Sequence, residues 1–280
     1  MNNFQSRLLV GSVYVVITIA ALLTNLLTAS FYIWAIQALC LYEFYKITIK
    51  KSSLKSLIVP LLIGSFVFLM TYANQDSAVN LGYLVWLLIP LLVVFLIYLI
   101  VNPVNDFIND AGKLVFGWIY VSVPFALLLR IGNMVFDKAN IELLPYHGFP
   151  ILLVFILIWA NDSFAYLVGR KFGKTQLAPK LSPKKSVEGF IGGVFFSVLF
   201  AIAMHYFFPV FDQIHFIVLA IICGTIGTLG DLFESKLKRS LGIKDSGTML
   251  GGHGGFLDRM DSIIFAGPIC FFYLYHFTVA

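Results

Sequence analysis

Residues 230–262 read GDLFESKLKRSLGIKDSGTMLGGHGGFLDRMDS, and apolar runs lie on both sides of them. This stretch holds five of the fourteen acidic residues and five of the nineteen basic residues of the chain, together with one histidine. Carboxylate oxygens are ligands that Mg²⁺ accepts, and glycines let backbone N–H groups approach phosphate oxygens. The stretch therefore predicts a phosphate and metal site, which the flanking apolar runs would place at a membrane surface.

The rest of the chain is strongly apolar. Its 280 residues are 60% hydrophobic and only 12% charged, with a mean hydropathy of +0.92. A soluble protein of this length could not bury so much apolar surface, so we expect an all-α, polytopic integral membrane protein. The three cysteines all lie within apolar runs, where packing between helices is their simplest role.

Nine apolar runs are long enough to cross a bilayer as helices. They cover residues 8–24, 28–45, 57–73, 81–101, 113–130, 149–169, 189–209, 215–233 and 260–279. The first resembles a signal peptide, but the eight runs behind it favour a retained helix. We expect about four spans in an N-terminal region, 1–112, and about five in a catalytic region, 113–280. Cytoplasmic loops at 170–188 and 234–259 would belong to the catalytic region.

The positions of the cations predict the orientation. If the N-terminus is cytoplasmic, 17 of the 19 lysines and arginines fall on the cytoplasmic side, and only Arg130 and Lys138 lie outside. This distribution satisfies the positive-inside rule. We therefore expect a multi-pass protein of the cell membrane, with its C-terminus outside and its active site facing the cytoplasm.

One acidic residue lies within the sixth predicted span. Asp162 shares a helical face with Tyr166 and Gly169, because these residues are spaced at i, i+4 and i+7. A carboxylate at membrane depth costs several kcal/mol unless it is paired, which makes Asp162 a functional candidate. The alternative is a hydrogen bond that packs one span against another. Glu43, by contrast, is expected to be a solvated helix end in a first half that offers little chemistry.

Two pairs of acids lie at the mouths of the last two spans. Asp231 and Glu234 share a helical face, and so would Asp258 and Asp261 if the ninth span begins near them. Together they could form an oxygen-rich cage for Mg²⁺ bound to a triphosphate. The glycines of the seventh and eighth spans, which let helices approach closely, would hold Asp231 against the neighbouring spans. These glycines are Gly189, Gly193, Gly224, Gly227 and Gly230.

The charged stretch also resembles the signature of the phosphatidate cytidylyltransferases. The matching residues are Ser235-x-Leu237-Lys238-Arg239, then Lys244-Asp245-x-Gly247, then His253-Gly254-Gly255-Phe256-x-Asp258-Arg259-Met260-Asp261. Gly251 departs from this pattern, since proline is common there. A second block of that family is similar to Ser182-Pro183-Lys184-Lys185-Ser186-x-Glu188-Gly189, although Thr and Trp are more usual at positions 186 and 187.

The resemblance implies an enzyme that transfers the cytidylyl group of CTP to phosphatidic acid and releases pyrophosphate. It implies that Asp231 and Asp258 coordinate Mg²⁺ with Asp261 beside them; whether a monovalent cation accompanies Mg²⁺ stays open. Lys244 and Asp162 join these aspartates as catalytic candidates. The predicted substrate-binding residues are Ser182, Lys184, Lys185, Ser235, Lys238, Arg239, His253, Gly254, Gly255 and Arg259.

Two other functions compete with this interpretation. A CTP-dependent polyprenol or phytol kinase would transfer the γ-phosphoryl group to an alcohol, with Asp162 available as the base. A cation-coupled transporter could use Asp162 and Asp231, but its carboxylates should lie near mid-membrane, whereas most acids here crowd one face. The expected partners are CTP, phosphatidic acid and membrane lipids, without nucleic acid. A homodimer is compatible with the sequence, which does not fix the oligomeric state.

Overall fold

Long helices make up most of the structure. The computed structural model describes residues 3–49, 54–73, 107–134, 148–249 and 254–277. In the first half, the helices are α1 (Asn3–Thr24), α2 (Leu26–Thr48), α3 (Leu54–Ala73), α4 (Phe107–Gly117) and α5 (Val123–Arg130). In the second half, they are α6 (Gly148–Phe172), α7 (Val187–Phe207), α8 (Gln213–Ser240) and α9 (Leu257–Phe277).

Six helical segments in the described ranges are long and apolar enough to cross a membrane. They are Leu26–Thr48, Asn109–Asn133, Gly148–Phe172, Val187–Phe207, Gln213–Ser240 and Leu257–Phe277. Apolar stretches of α1 and α3, at Gly11–Thr24 and Leu57–Met70, fall where two further spans were predicted. The predicted span at 81–101 lies outside the described residues. The chain is therefore an all-α integral membrane protein with six candidate spans in the part that the structure describes, and the total of nine stays a prediction.

A π-helical turn joins α4 and α5 and is held by polar contacts within the apolar core. The turn covers Trp118–Ser122. The Trp118 indole N–H donates to the carbonyl oxygen of Pro60 in α3 at 3.0 Å, and Gln37 of α2 donates to the Ser122 hydroxyl at 2.8 Å. These bonds satisfy polar groups that would otherwise be costly in a membrane. They tie α2 and α3 to the fifth predicted span.

Glycines bring α6, α7, α8 and α9 into close contact. A Cβ atom at Gly193 or at Gly224 would lie 2.9 Å from Oδ1 of the buried Asn161, which precedes Asp162 in α6. A Cβ at Gly230 would lie 2.5 Å from the Asp261 carbonyl oxygen in α9. The prediction that small residues hold Asp231 beside the neighbouring spans is therefore confirmed.

The predicted loop at 170–188 contains a small antiparallel hairpin. Its strands are β1 (Gln176–Ala178) and β2 (Ser182–Ser186), with Gln176 opposite Ser186 and Ala178 opposite Ser182. The sequence predicts a cytoplasmic loop here, not a hairpin. With two prolines and six cations, the composition of this loop does not predict strands. Such short strands form through cross-strand pairing, which composition does not reveal.

The hairpin is anchored to the start of α7. Both carboxylate oxygens of Glu188 accept from backbone N–H groups, with Lys174 N at 3.0 Å and Thr175 N at 3.1 Å. The Ser186 side chain caps α7 by accepting from Gly189 N at 3.1 Å. Glu188, known from the sequence only as part of a motif block, therefore also anchors the hairpin. Glu188 fixes the strand that precedes the lysines of β2.

Candidate active site

Asp231 lies near the C-terminal end of α8 and is paired with the hairpin. Its Oδ2 atom is 2.5 Å from Nζ of Lys185 in β2, and the two side chains are each 30% exposed. The Ser235 hydroxyl, one helical turn further on, donates to Asp231 Oδ1 at 3.3 Å. The structure thus brings Lys185, Ser235 and Asp231 together, although they come from two separate sequence blocks.

Lys238 connects two acids on different helices. Its Nζ atom lies 2.5 Å from Glu234 Oε2 and 2.5 Å from Asp258 Oδ1. Glu234 is fully buried and Lys238 is 12% exposed. Ion pairs so poorly solvated are costly to break, because removal of one partner leaves an uncompensated charge. Lys238 therefore locks the end of α8 against the start of α9.

Asp258 also accepts hydrogen bonds from the backbone of the segment before α9. Its carboxylate accepts from Ser246 N, at 3.0 Å to Oδ2, and from Gly255 N at 2.8 Å. Gly254 has a φ of +82°, a conformation that side chains disfavour, and a Cβ there would overlap the Asp258 carboxylate. Asp258 thus links Ser246 and Gly255, near the two ends of the glycine-rich segment 246–257. These two residues and Leu257 are called the neck of the segment.

Asp261 and Asp162 complete a group of acids around Asp231. Asp261 is 9% exposed and accepts from Ser262 N at 2.6 Å. It interacts electrostatically with Asp231, Glu234 and Asp162. Asp162 is exposed at the protein surface and interacts electrostatically with Lys185 and Asp231. The intramembrane acid of α6 therefore belongs to the same charged region as the acids of α8 and α9.

Some predicted substrate-binding residues lie at the edge of this region. The guanidinium of Arg239 donates to the Ile243 carbonyl oxygen at 3.1 Å, so in this structure it holds the C-terminal end of α8. The side chains of Lys184, Lys244 and Arg259 are exposed, and Ser182 is half-buried. The predicted His253 lies outside the described residues.

Glu43 of α2 is a residue of this region that sequence reasoning missed. It is 1% exposed, so the prediction of a solvated helix end is wrong. Its Oε2 atom accepts from the Ser246 hydroxyl at 3.0 Å and from Leu257 N at 2.9 Å. An ionisable residue in a span is a functional candidate by default, and this rule, applied to Asp162, could also have identified Glu43.

The donors suit Mg²⁺ by chemical type, but they are not gathered around one point. No three His, Cys, Asp or Glu side chains in the described ranges lie close enough to hold a metal ion. Yet the six acids of this region offer hard oxygen ligands, and within those ranges the buried Glu234 Oε1 has no hydrogen-bond partner. The residues fit a hard cation in donor chemistry and charge. Coordination of Mg²⁺ by Asp231, Asp258 and Asp261 stays a prediction.

Comparison with known proteins gives one family across the chain. The model of the cytidylyltransferase family matches residues 5–277. A phosphatidate cytidylyltransferase of Aquifex aeolicus (strain VF5) is 41% identical over 169 residues, or 60% of this chain and 58% of that protein. One of Haemophilus influenzae is 45% identical over 166 residues, covering 56% and 55% of the two chains. One of Staphylococcus aureus (strain COL) is 43% identical over 156 residues, covering 54% and 58%. The matched regions thus span little more than half the length of these relatives.

Proposed function

Because the chain belongs to the cytidylyltransferase family, we propose that it transfers the cytidylyl group of CTP to phosphatidic acid. The products would be CDP-diacylglycerol and pyrophosphate, which places the enzyme in phospholipid biosynthesis. The names of the similar proteins support this reaction. The observation that carries the proposal is the charged region where α6, α8, α9 and the hairpin meet.

The chemistry requires positioning and charge neutralisation more than covalent help. An oxygen of the lipid phosphate attacks the α-phosphorus of CTP and forms a new P–O bond. The bond from the α-phosphorus to the oxygen shared with the β-phosphorus breaks, and pyrophosphate leaves with that electron pair. The attacking phosphate is already anionic, so no strong base is needed. Fixed charges near the departing pyrophosphate would supply most of the rate enhancement.

The side chains divide between phosphate binding and metal binding. Lys185, held at Asp231, and the exposed Lys184, Lys244 and Arg259 offer positive charge to CTP and to the lipid phosphate. Asp231, Asp258 and Asp261 would hold Mg²⁺, which supplies neutralisation of phosphate charge when it is bound. A carboxylate at Asp231 also fixes Lys185 of the hairpin at the site, and Lys238 fixes Asp258.

The charged region would face the cytoplasm, where CTP is present. The split of 17 cations inside and two outside supports a cytoplasmic N-terminus, nine spans and an external C-terminus in the cell membrane. In this arrangement the hairpin and the glycine-rich segment meet the cytosol, while α6, α8 and α9 border lipid. The site would then be open both to CTP from water and to phosphatidic acid from the bilayer.

The decisive experiment identifies the phosphorus that is attacked. The detergent-solubilised protein is supplied with Mg²⁺, phosphatidic acid and CTP labelled separately at the α- or γ-position. We expect the α-label in the lipid fraction and the γ-label in soluble pyrophosphate. Transfer of the γ-label to a lipid alcohol, with CDP left in solution, would establish a kinase instead. The absence of lipid labelling from either position would contradict both enzymes.

A further inference from the structure

A helix of the N-terminal region, α2, contacts both ends of the glycine-rich segment 246–257. Glu43 approaches both ends of this segment, because one of its oxygens accepts from the Ser246 hydroxyl and from Leu257 N. These donors are 11 residues apart in the chain and more than 200 residues from Glu43. All three residues are buried, with exposures of 1% for Glu43, 3% for Ser246 and 0% for Leu257.

Two glycines of the same segment leave room for the Glu43 carboxylate. A Cβ atom at Gly247 would lie 2.5 Å from Glu43 Oε1, and one at Gly255 would overlap Glu43 Oε2. The sequence predicts that such glycines let phosphate oxygens approach the backbone. At these two positions the close neighbour is instead Glu43, so the backbone path of the segment is matched to this one side chain.

Glu43 and Asp258 hold the segment together. Asp258 accepts from Ser246 N and Gly255 N, while Glu43 accepts from the Ser246 hydroxyl and Leu257 N. The two carboxylates therefore bind the same neck, and Ser246 contacts both of them. Asp258 is further tied to Lys238 of α8. Loss of Glu43 would leave the Ser246 hydroxyl and Leu257 N, two buried donors, unsatisfied. The neck would then lose its hydrogen bonds to α2.

From this geometry we infer that Glu43 is a positioning residue for CTP binding. It holds the described ends of the glycine-rich segment, 246–249 and 254–257, in the positions that bring the adjacent Lys244 to the phosphates of CTP. This inference rests on the proposed function, because it names CTP as the ligand of the segment. Glu43 need not touch the nucleotide, since it acts through Ser246 and Leu257. The N-terminal region thereby contributes to a site that the sequence assigned to the C-terminal region alone.

Three variants separate positioning from general stability. Glu43→Met keeps the length of the side chain and removes both acceptors, whereas Glu43→Gln keeps one carbonyl oxygen that can accept from the neck. Gln37→Met is the matched control, because Gln37 is also buried in α2 but donates to Ser122, away from the segment. If Glu43→Met does not fold, Ser246→Ala takes its place in the test, because it removes one of the two donors to Glu43.

Steady-state kinetics and hydrogen exchange provide the readouts. We expect Glu43→Met to raise KM for CTP at least about tenfold, with KM for phosphatidic acid changed by less than about threefold. Ser246→Ala should raise KM for CTP by about threefold. The single variant Glu43→Gln should have a KM for CTP close to that of the wild type. Amides of 243–249 and 254–257 should exchange faster in Glu43→Met than in Gln37→Met.

Two results would overturn the inference. One is a folded Glu43→Met protein with wild-type KM for CTP and wild-type exchange in the segment. The other is an equal rise of KM for CTP in Gln37→Met, which would indicate a general loss of packing. Exchange is measured without substrate, so it tests the role of Glu43 even if the wild-type protein does not label lipid from CTP. That last result would refute the proposed function and, with it, CTP as the ligand of the segment.

Discussion

Asp231 and Asp258 each form an ion pair with a lysine. Lys185 lies 2.5 Å from Asp231, and Lys238 lies 2.5 Å from Asp258. Partly buried acids such as these need positive partners, because desolvation penalises an isolated carboxylate. The lysines supply that charge where Mg²⁺ is predicted to bind. They also bring cations to the place where a triphosphate would need them.

Asparagine at position 231 tests the charge of this carboxylate with little change of shape. We expect Asp231→Asn to lower the turnover of CTP with phosphatidic acid at least ~100-fold, because it removes both the partner of Lys185 and a predicted Mg²⁺ ligand. Asp258→Asn should have a similar effect. Both proteins should still purify from the membrane in folded form.

The matched control for these aspartates is Asp110→Asn. Asp110 also forms an ion pair, with Lys113 at 2.8 Å, but both residues belong to α4. Its turnover should stay within about twofold of wild type, as expected for a partly exposed pair. Near-normal activity of both Asp231→Asn and Asp258→Asn at saturating Mg²⁺ would rule out their proposed role.

At this scale, the sequence predicted the residue types better than their partners. Asp231, Lys185 and Ser235 could be predicted from two motifs, and the structure brings them together. The role of Glu43 could not be read from spacing, because its contacts are 203 and 214 residues away in the chain. Arg239 shows the opposite difference: it was assigned to phosphate, and here it binds the carbonyl oxygen of Ile243.

Among the elements, the hairpin depends on a single acidic side chain. Glu188 accepts from Lys174 N and Thr175 N and so fixes the chain as it enters β1. The sequence showed the cations of this loop but not the hairpin. Backbone pairing between such short strands depends on the anchor and the turn, which composition does not reveal.

Glu188→Ala tests this anchor. We expect faster hydrogen exchange over residues 173–187 and a several-fold rise of KM for CTP, because Lys185 would no longer be held at Asp231. Glu188→Gln, which keeps one acceptor oxygen, should lie between alanine and wild type. Unchanged exchange in Glu188→Ala would show that the hairpin does not need this contact.

Two glycines on α8 provide a second test at the scale of elements. Gly230→Ala would place a Cβ 2.5 Å from the Asp261 carbonyl oxygen, a backbone atom that cannot move without shifting α9. We expect the free energy of unfolding to fall by about 1–3 kcal/mol. Activity should also fall, since Asp231 is the next residue. Gly227→Ala is the matched control, because its Cβ would lie 3.4 Å from Ser262 Cβ, an ordinary contact. Equal stability of the two variants would contradict this packing.

At the scale of the whole molecule, the sequence predicted an all-α membrane protein more securely than it predicted the number of spans. Run length and hydropathy predicted helices that span a membrane, and the described residues contain six candidates. Helices α1 and α3 coincide with two further predicted spans, and the span predicted at 81–101 lies outside the described residues. Hydropathy predicts which helices can cross the bilayer, but it does not give the direction in which they cross. The positions of the cations are therefore the stronger argument for topology.

Single cysteines test the predicted orientation of the whole chain. The native residues Cys40, Cys223 and Cys270 are buried, so an impermeant thiol reagent should give little background. Lys180→Cys in the hairpin turn and Asp245→Cys before the glycine-rich segment replace exposed residues. We expect both to react only when the cytoplasmic face is accessible, whereas Asn140→Cys, in the predicted external loop, should react in intact cells. The reason is the excess of cations around positions 180 and 245. Labelling of position 180 or 245 in intact cells would reverse the topology and separate the charged region from cytoplasmic CTP.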